Sequence, residues 1–128
     1  MKPELKSFDA PDQSPDLPRS RTEVVTLDGH SIMRLRLDGG WRWSNDWRPV
    51  LKTTSCRIHH DGVIVSGTLH FEMDDGSSLD CTPGTVYSIP PGHDAWVVGE
   101  EPVRAIHWSH PRKSDRGRPL EAAEGARD

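Results

Sequence analysis

The sequence predicts an all-β fold of the sandwich or barrel type. Short runs that are β-branched or alternate apolar with polar residues follow one another from Thr22 to Ser109, and turns such as Asp74-Asp75-Gly76, Thr82-Pro83-Gly84 and Pro90-Pro91-Gly92 separate them. No ten-residue helical pattern with caps appears in that span.

The elements read in order. Residues 1–21 hold Pro3, Pro11, Pro15 and Pro18 among charged and small residues, which predicts an extended arm draped on the barrel rather than a helix. Strands are expected at Thr22–Leu27 and Ser31–Leu37, separated by Asp28-Gly29-His30. In the second, Met33, Leu35 and Leu37 alternate with Arg34 and Arg36, giving one apolar and one solvent face. Further strands are expected at Thr54–His60, Gly62–Ser66, Thr68–Met73, Ser78–Cys81, Val86–Ile89, Ala95–Val98 and Val103–Ser109. Residues 111–128 carry mixed charge without apolar periodicity and read as a disordered, solvated tail, which leaves 22–110 as the folded unit.

Composition limits the function. A chain of 128 residues makes one domain. Its hydrophobic content of 33% is low because the ends dilute it, nearly all Val, Ile and Trp falling between Val24 and Trp108. A net charge of −4 and the lack of a basic run interleaved with aromatics argue against nucleic acid as the main partner. No apolar run approaches bilayer length, and the Met1–Lys6 segment lacks the hydrophobic region of a secretion signal, so the expected location is the cytoplasm. In that reducing compartment Cys56 and Cys81 are read as thiols, Cys56 open to metal and Cys81 a small core residue. Neither a Gly-x-Ser-x-Gly elbow nor a phosphate-cradling Gly-rich loop is present.

The chemistry concentrates in Cys56-Arg57-Ile58-His59-His60 and in Ile89-Pro90-Pro91-Gly92-His93-Asp94-Ala95-Trp96. Strand parity puts Cys56 and His60 on one face, with His59 on the other, and a third ligand, His93, comes from a later strand. Thiolate with imidazole suits one divalent transition metal, zinc or iron(II), better than magnesium or calcium. His107 is a reserve fourth ligand, since either face of its strand could point inward. The blander alternatives are a buried thiol and hydrogen-bonded core histidines. Trp41 and Trp43, on one face of an extended segment, together with Trp96 and Tyr87, are candidate walls of a pocket, Arg57 a weaker substrate contact, and Asp94 a candidate acceptor behind a ligating histidine.

With "GWRWS", "SCRIHHDGVIVSGTLHFEMDDG", "PGTVYSIPPGHDAWVVGEEP" and Phe8-Asp9-Ala10-Pro11-Asp12, residues 8–109 resemble the small single-domain bacterial cupins that carry a PPGHDAWVVG element. The resemblance implies a double-stranded β-helix, a jelly-roll barrel with a metal in its interior, and often a homodimer. The chain departs from the usual pattern of a His-x-His pair, a Glu, and a Gly seven residues beyond it. Counting back from Gly67, His60 stands at the Glu position, Cys56 at the second His and Thr54, a poor ligand, at the first. Ala95 stands where the later His is usual, with His93 two residues earlier on the same face. The expected function is metal-dependent work on a small molecule, dioxygenase-, isomerase- or lyase-like. The alternative is a non-catalytic module that binds a small ligand or a metal.

Overall fold

The computed structural model describes residues 2–52, 56 and 58–109. Among the described residues eight strands run in chain order: β1 (Ser20–Leu27), β2 (His30–Leu37), β3 (His60–Ser66), β4 (Leu69–Met73), β5 (Ser78–Cys81), β6 (Val86–Ile89), β7 (His93–Val97) and β8 (Val103–Ser109). They form two antiparallel sheets, β1-β2-β8-β3-β6 and β5-β4-β7. Period-two burial explains the layering. Met33, Leu35 and Leu37 of β2, Leu69 and Phe71 of β4, Ala95 and Val97 of β7, and Val103 and Ala105 of β8 all point into one shared core. Each fully buried Leu, Val or Phe there contributes roughly 1.5–3 kcal/mol of transfer free energy.

Several expected boundaries shift: β7 begins at His93 rather than Ala95, and β3 begins at His60, Asp61 and Gly62 continuing one ladder opposite Trp108 and His107. Of residues 54–60, Cys56 pairs as an isolated bridge with His93 and residues 58 and 59 carry no strand, so Cys56 belongs beside β7 and not to the strand of His60. Thr54 and Arg57 lie outside the described residues, as do His110 and the whole 111–128 tail.

The segment that carries the tryptophans is extended only as far as Arg42, which bridges to Trp96. From Trp43 it coils, as a π-helical turn over Trp43–Trp47 and then α1 (Arg48–Leu51) with Pro49 in its first turn. Carboxylates fix this entry: Asp46 accepts from the Arg42 N–H at 2.9 Å and Asp94 from the Ser44 N–H at 3.1 Å. The helical run is too short to show a sequence period.

The arm lies along β1, which begins at Ser20, inside the stretch read as arm. Arg19, at φ 54°, turns the chain into the strand. Val24 exchanges backbone hydrogen bonds with Gln13, the Asp12 carboxylate accepts from the Thr26 N–H at 2.8 Å, and the Arg34 guanidinium sits 5.2 Å over the Phe8 ring. The arm thus covers an otherwise open sheet edge. Deleting residues 2–16 is expected to lower unfolding free energy by roughly 1–2 kcal/mol, the net worth of a few such bonds and one cation–π contact. Unchanged denaturant midpoint and slope would show that the arm adds nothing.

Candidate metal centre

The site forms at one end of the sandwich, where the Pro90-Pro91-Gly92 turn carries the chain from one sheet to the other. His60 opens β3 and pairs with Ile89 at the end of β6; His93 opens β7 and pairs with Cys56. The turn clamps this corner by two backbone bonds, Cys56 N–H to the His93 carbonyl at 2.8 Å and Gly92 N–H to the Cys56 carbonyl at 2.7 Å. Gly92 needs its φ of 94°, a left-handed value that strains other residues.

The ligand atoms of Cys56, His60 and His93 all lie within 4.8 Å of one another, and the Cys56 Sγ is 3.3 Å from the His60 Nε2. Donors around a tetrahedral zinc stand about 3.5 Å apart, so the three are spaced to converge on one ion. Cys56 and His93 are buried, and His60 is partly exposed. His93 is oriented from behind: its Nδ1 lies 2.8 Å from the Pro90 carbonyl and can only donate to it, which leaves Nε2 as the lone-pair atom.

The imidazoles are kept neutral, as ligation requires. Burial holds His60 well below the ordinary histidine value, reinforced by His107, His93 and His59 nearby. Burial likewise lowers His93, partly offset by the Pro90 carbonyl, and brings His107 down to about 4. In metal-free protein these histidines protonate first in the unfolded chain. Their contribution to stability is full above about pH 6.5 and declines as pH falls toward about 4, where folded His107 also titrates; for His107 alone the loss is roughly 3 kcal/mol. Urea unfolding of metal-free protein should therefore show a falling midpoint over that window. A midpoint constant from pH 7 to 4.5 would contradict the burial of these rings.

The other predicted residues divide. β8 resolves its ambiguity by turning Val103, Ala105 and His107 inward, yet His107 stands outside the ligand group: its Nε2 is engaged by the Tyr87 hydroxyl. Tyr87 is buried on the face of β6 it shares with Ile89. Trp41 and Trp43 are buried, Trp41 edge-on to Trp47 at 5.1 Å. Trp96 does not close the pocket. Parity in β7 sends it outward, where it stacks on His70 at 4.2 Å and lies under the Arg42 guanidinium at 4.1 Å. Nor does Asp94 stand behind a histidine: it is bound to Arg42, Ser44 and the Ala95 N–H, so the Pro90 carbonyl takes that role. His59 is outside the ligand group: it bonds Ser88 and Asp61 and lines the cavity beside His60. Cys81 is fully buried in the core, and neither cysteine is in a disulfide.

A cavity of about 20 Å³, lined by Met33, Ile58, His60, Asp61, His107 and Trp108 among others, reaches His60, the one ligand in its wall. It has room for about one water. The sequence reading did not pair Tyr87 with His107; the available signal was Gly62, whose missing Cβ leaves space for the His107 ring.

No family model matches the chain, and no curated protein sequence does. Solved structures do. A protein of unknown function from Rhizobium leguminosarum superposes with a TM-score of 0.62 at 18% identity, covering 88% of this chain and all of that one. Ectoine synthase from P. lautus gives 0.59 at 15% identity over 82% of this chain and 75% of its own, and a cupin-2 domain from Rhodospirillum rubrum 0.56 at 15% over 93% and 74%. At such identities the likeness is one of fold, and the fold is the cupin double-stranded β-helix.

Proposed function

We propose that this cupin binds one zinc or iron(II) ion through Cys56, His60 and His93 and uses it on a small molecule that enters beside His60 and His107. The observation that carries the reading is the convergence of one thiol and two neutral imidazoles, drawn from three segments, at the corner of a cupin barrel. Three protein ligands leave a position for substrate or water, as catalytic centres require. An ion there would supply Lewis acidity or redox chemistry of the dioxygenase, isomerase or lyase kind. The chain's own residues would do the rest. Cys56 and the two histidines hold, Pro90 orients His93, and Met33, Ile58 and Trp108 surround the entrance. That one neighbour of this fold is named a synthase supports catalytic use without indicating the reaction.

A second reading, a non-catalytic module for a metal or small ligand, is favoured by the smallness of the cavity and by the aromatic filling of the interior. Metal analysis of protein purified without added metal is expected to give close to one transition-metal ion per chain. In the cobalt form, azide should change the visible spectrum if the ion keeps an exchangeable position; a spectrum indifferent to azide would reject catalysis in favour of the binding module. The same reading takes the reducing cytoplasm as the compartment, small molecules rather than nucleic acid or membrane as partners, and a homodimer as the assembly. Support for the dimer is the outer edge of β6, where Val86 is 68% exposed. A monomer mass by light scattering at micromolar concentration would refute it.

A further inference from the structure

The Tyr87–His107 pair is buried against the metal corner but belongs to no ligand set, and its protons can be assigned by counting partners. Among the described residues the Tyr87 hydroxyl hydrogen-bonds only the His107 Nε2, and His107 makes no other hydrogen bond. If Nε2 carried the proton, the buried phenol hydrogen would be left without an acceptor. With the phenol donating to Nε2 its hydrogen is satisfied, and the imidazole hydrogen sits on Nδ1, which is not among the fully buried side-chain atoms without a partner (the Trp41 and Trp43 indole nitrogens) and so is not sealed from the cavity.

Packing gives that hydrogen a direction. A Cβ on Gly62 would meet the His107 Cδ2 at 2.4 Å and Nε2 at 3.2 Å, so this edge of the ring lies flat on β3. The opposite edge bears Nδ1; on that side of β8 Met33 pairs with His107 in the β2–β8 ladder and lines the cavity with it. His60, a ligand, has its ring centroid 5.1 Å from that of His107.

We propose that Tyr87 holds His107 as the Nδ1–H tautomer and that this N–H is a fixed donor to the molecule occupying the cavity beside the ion. The ligand class is therefore a small molecule that presents a hydrogen-bond-accepting oxygen, a carboxylate or a carbonyl, in a cavity whose wall also holds the Asp61 carboxylate. His107 is a positioning residue: it neither ligates nor exchanges a proton, and it selects acceptor over donor groups at the open position. This ligand assignment rests on the proposed metal reading; the tautomer does not.

Two measurements test it. Nitrogen-15 chemical shifts of metal-free protein should give His107 a protonated Nδ1 and a lone-pair Nε2, and Tyr87→Phe should shift the balance toward Nε2–H. An Nε2–H tautomer in the unmodified chain overturns the proposal. In the cobalt form, titrated with formate and monitored in the visible region, His107→Leu should weaken formate by roughly tenfold or more, the worth of a hydrogen bond to a charged acceptor. His107→Asn, which restores an N–H at the Nδ1 position, should recover most of it. Equal formate affinity in Leu and Asn variants overturns the proposal. Cobalt content, measured first in every sample, separates this from failure of the metal site: if the unmodified chain holds no cobalt, the metal reading fails and the tautomer alone decides the role of His107.

Discussion

Gly62→Ala is expected to lower unfolding free energy by about 3 kcal/mol, the upper part of the range for overpacking a tight interior. The new Cβ would lie 2.4 Å from the His107 Cδ2 and 2.6 Å from the Ile106 carbonyl oxygen. Neither can yield cheaply, since the imidazole is pinned by Tyr87 and the carbonyl belongs to the β8 backbone. Gly76→Ala is the control. Its Cβ meets nothing within 4 Å, so only the strain of its φ of 91° remains, a cost of about 1 kcal/mol. Equal losses in the two variants would mean that the contact between β3 and the His107 ring is not tight. Adding His107→Ala to Gly62→Ala should recover part of the loss, because it removes one of the two clashes, and a strictly additive double variant would contradict the packing argument.

This glycine also shows where sequence reading stops. Period-two alternation located the layers because each strand buries one face, and it placed His93 and Ala95 together inside β7 although the usual ligand position holds alanine. Parity within a strand needs no tertiary knowledge. It fails where no strand continues: parity assigns Cys56 and His60 to one strand, yet Cys56 pairs with β7 and His60 opens β3, and their side chains meet across the corner instead. Adjacency to His93 suggests that Trp96 closes the pocket, whereas alternation within β7 turns it to the other face, with His70 and Arg42. The π-helical turn at Trp43 depends on the Asp94 carboxylate catching the Ser44 N–H, a contact fifty residues away in sequence. The His107 assignment likewise depends on two strands, β6 for Tyr87 and β3 for Gly62, which no local pattern reports.

Substituting the ligands should separate the three donors by chemistry. His93→Ala is expected to reduce metal affinity at least about a hundredfold, more than loss of an outer hydrogen-bond partner alone costs, because it removes both a donor atom and the imidazole anchored on the Pro90 carbonyl. Protein purified without added metal should then carry almost none, and the same holds for His60→Ala. Cys56→Ser differs in kind. The change is small and leaves the bridge to β7 in place, but a hard hydroxyl replaces a soft thiolate, so the ion should be held more weakly while the fold persists. Cys81→Ser, deep in the core and away from the ligands, should alter stability and leave metal content untouched. Thermal unfolding gives the companion readout: free zinc at a hundred times its dissociation constant stabilises a single-site protein by about 2.7 kcal/mol, equivalent to about 10 °C for a domain of this size. That shift should be present in the unmodified chain and in Cys81→Ser, reduced in Cys56→Ser, and absent in the two alanine variants. A His60→Ala, His93→Ala double variant that still binds one ion per chain with the full thermal shift would place the metal elsewhere and end the assignment of this corner as the site.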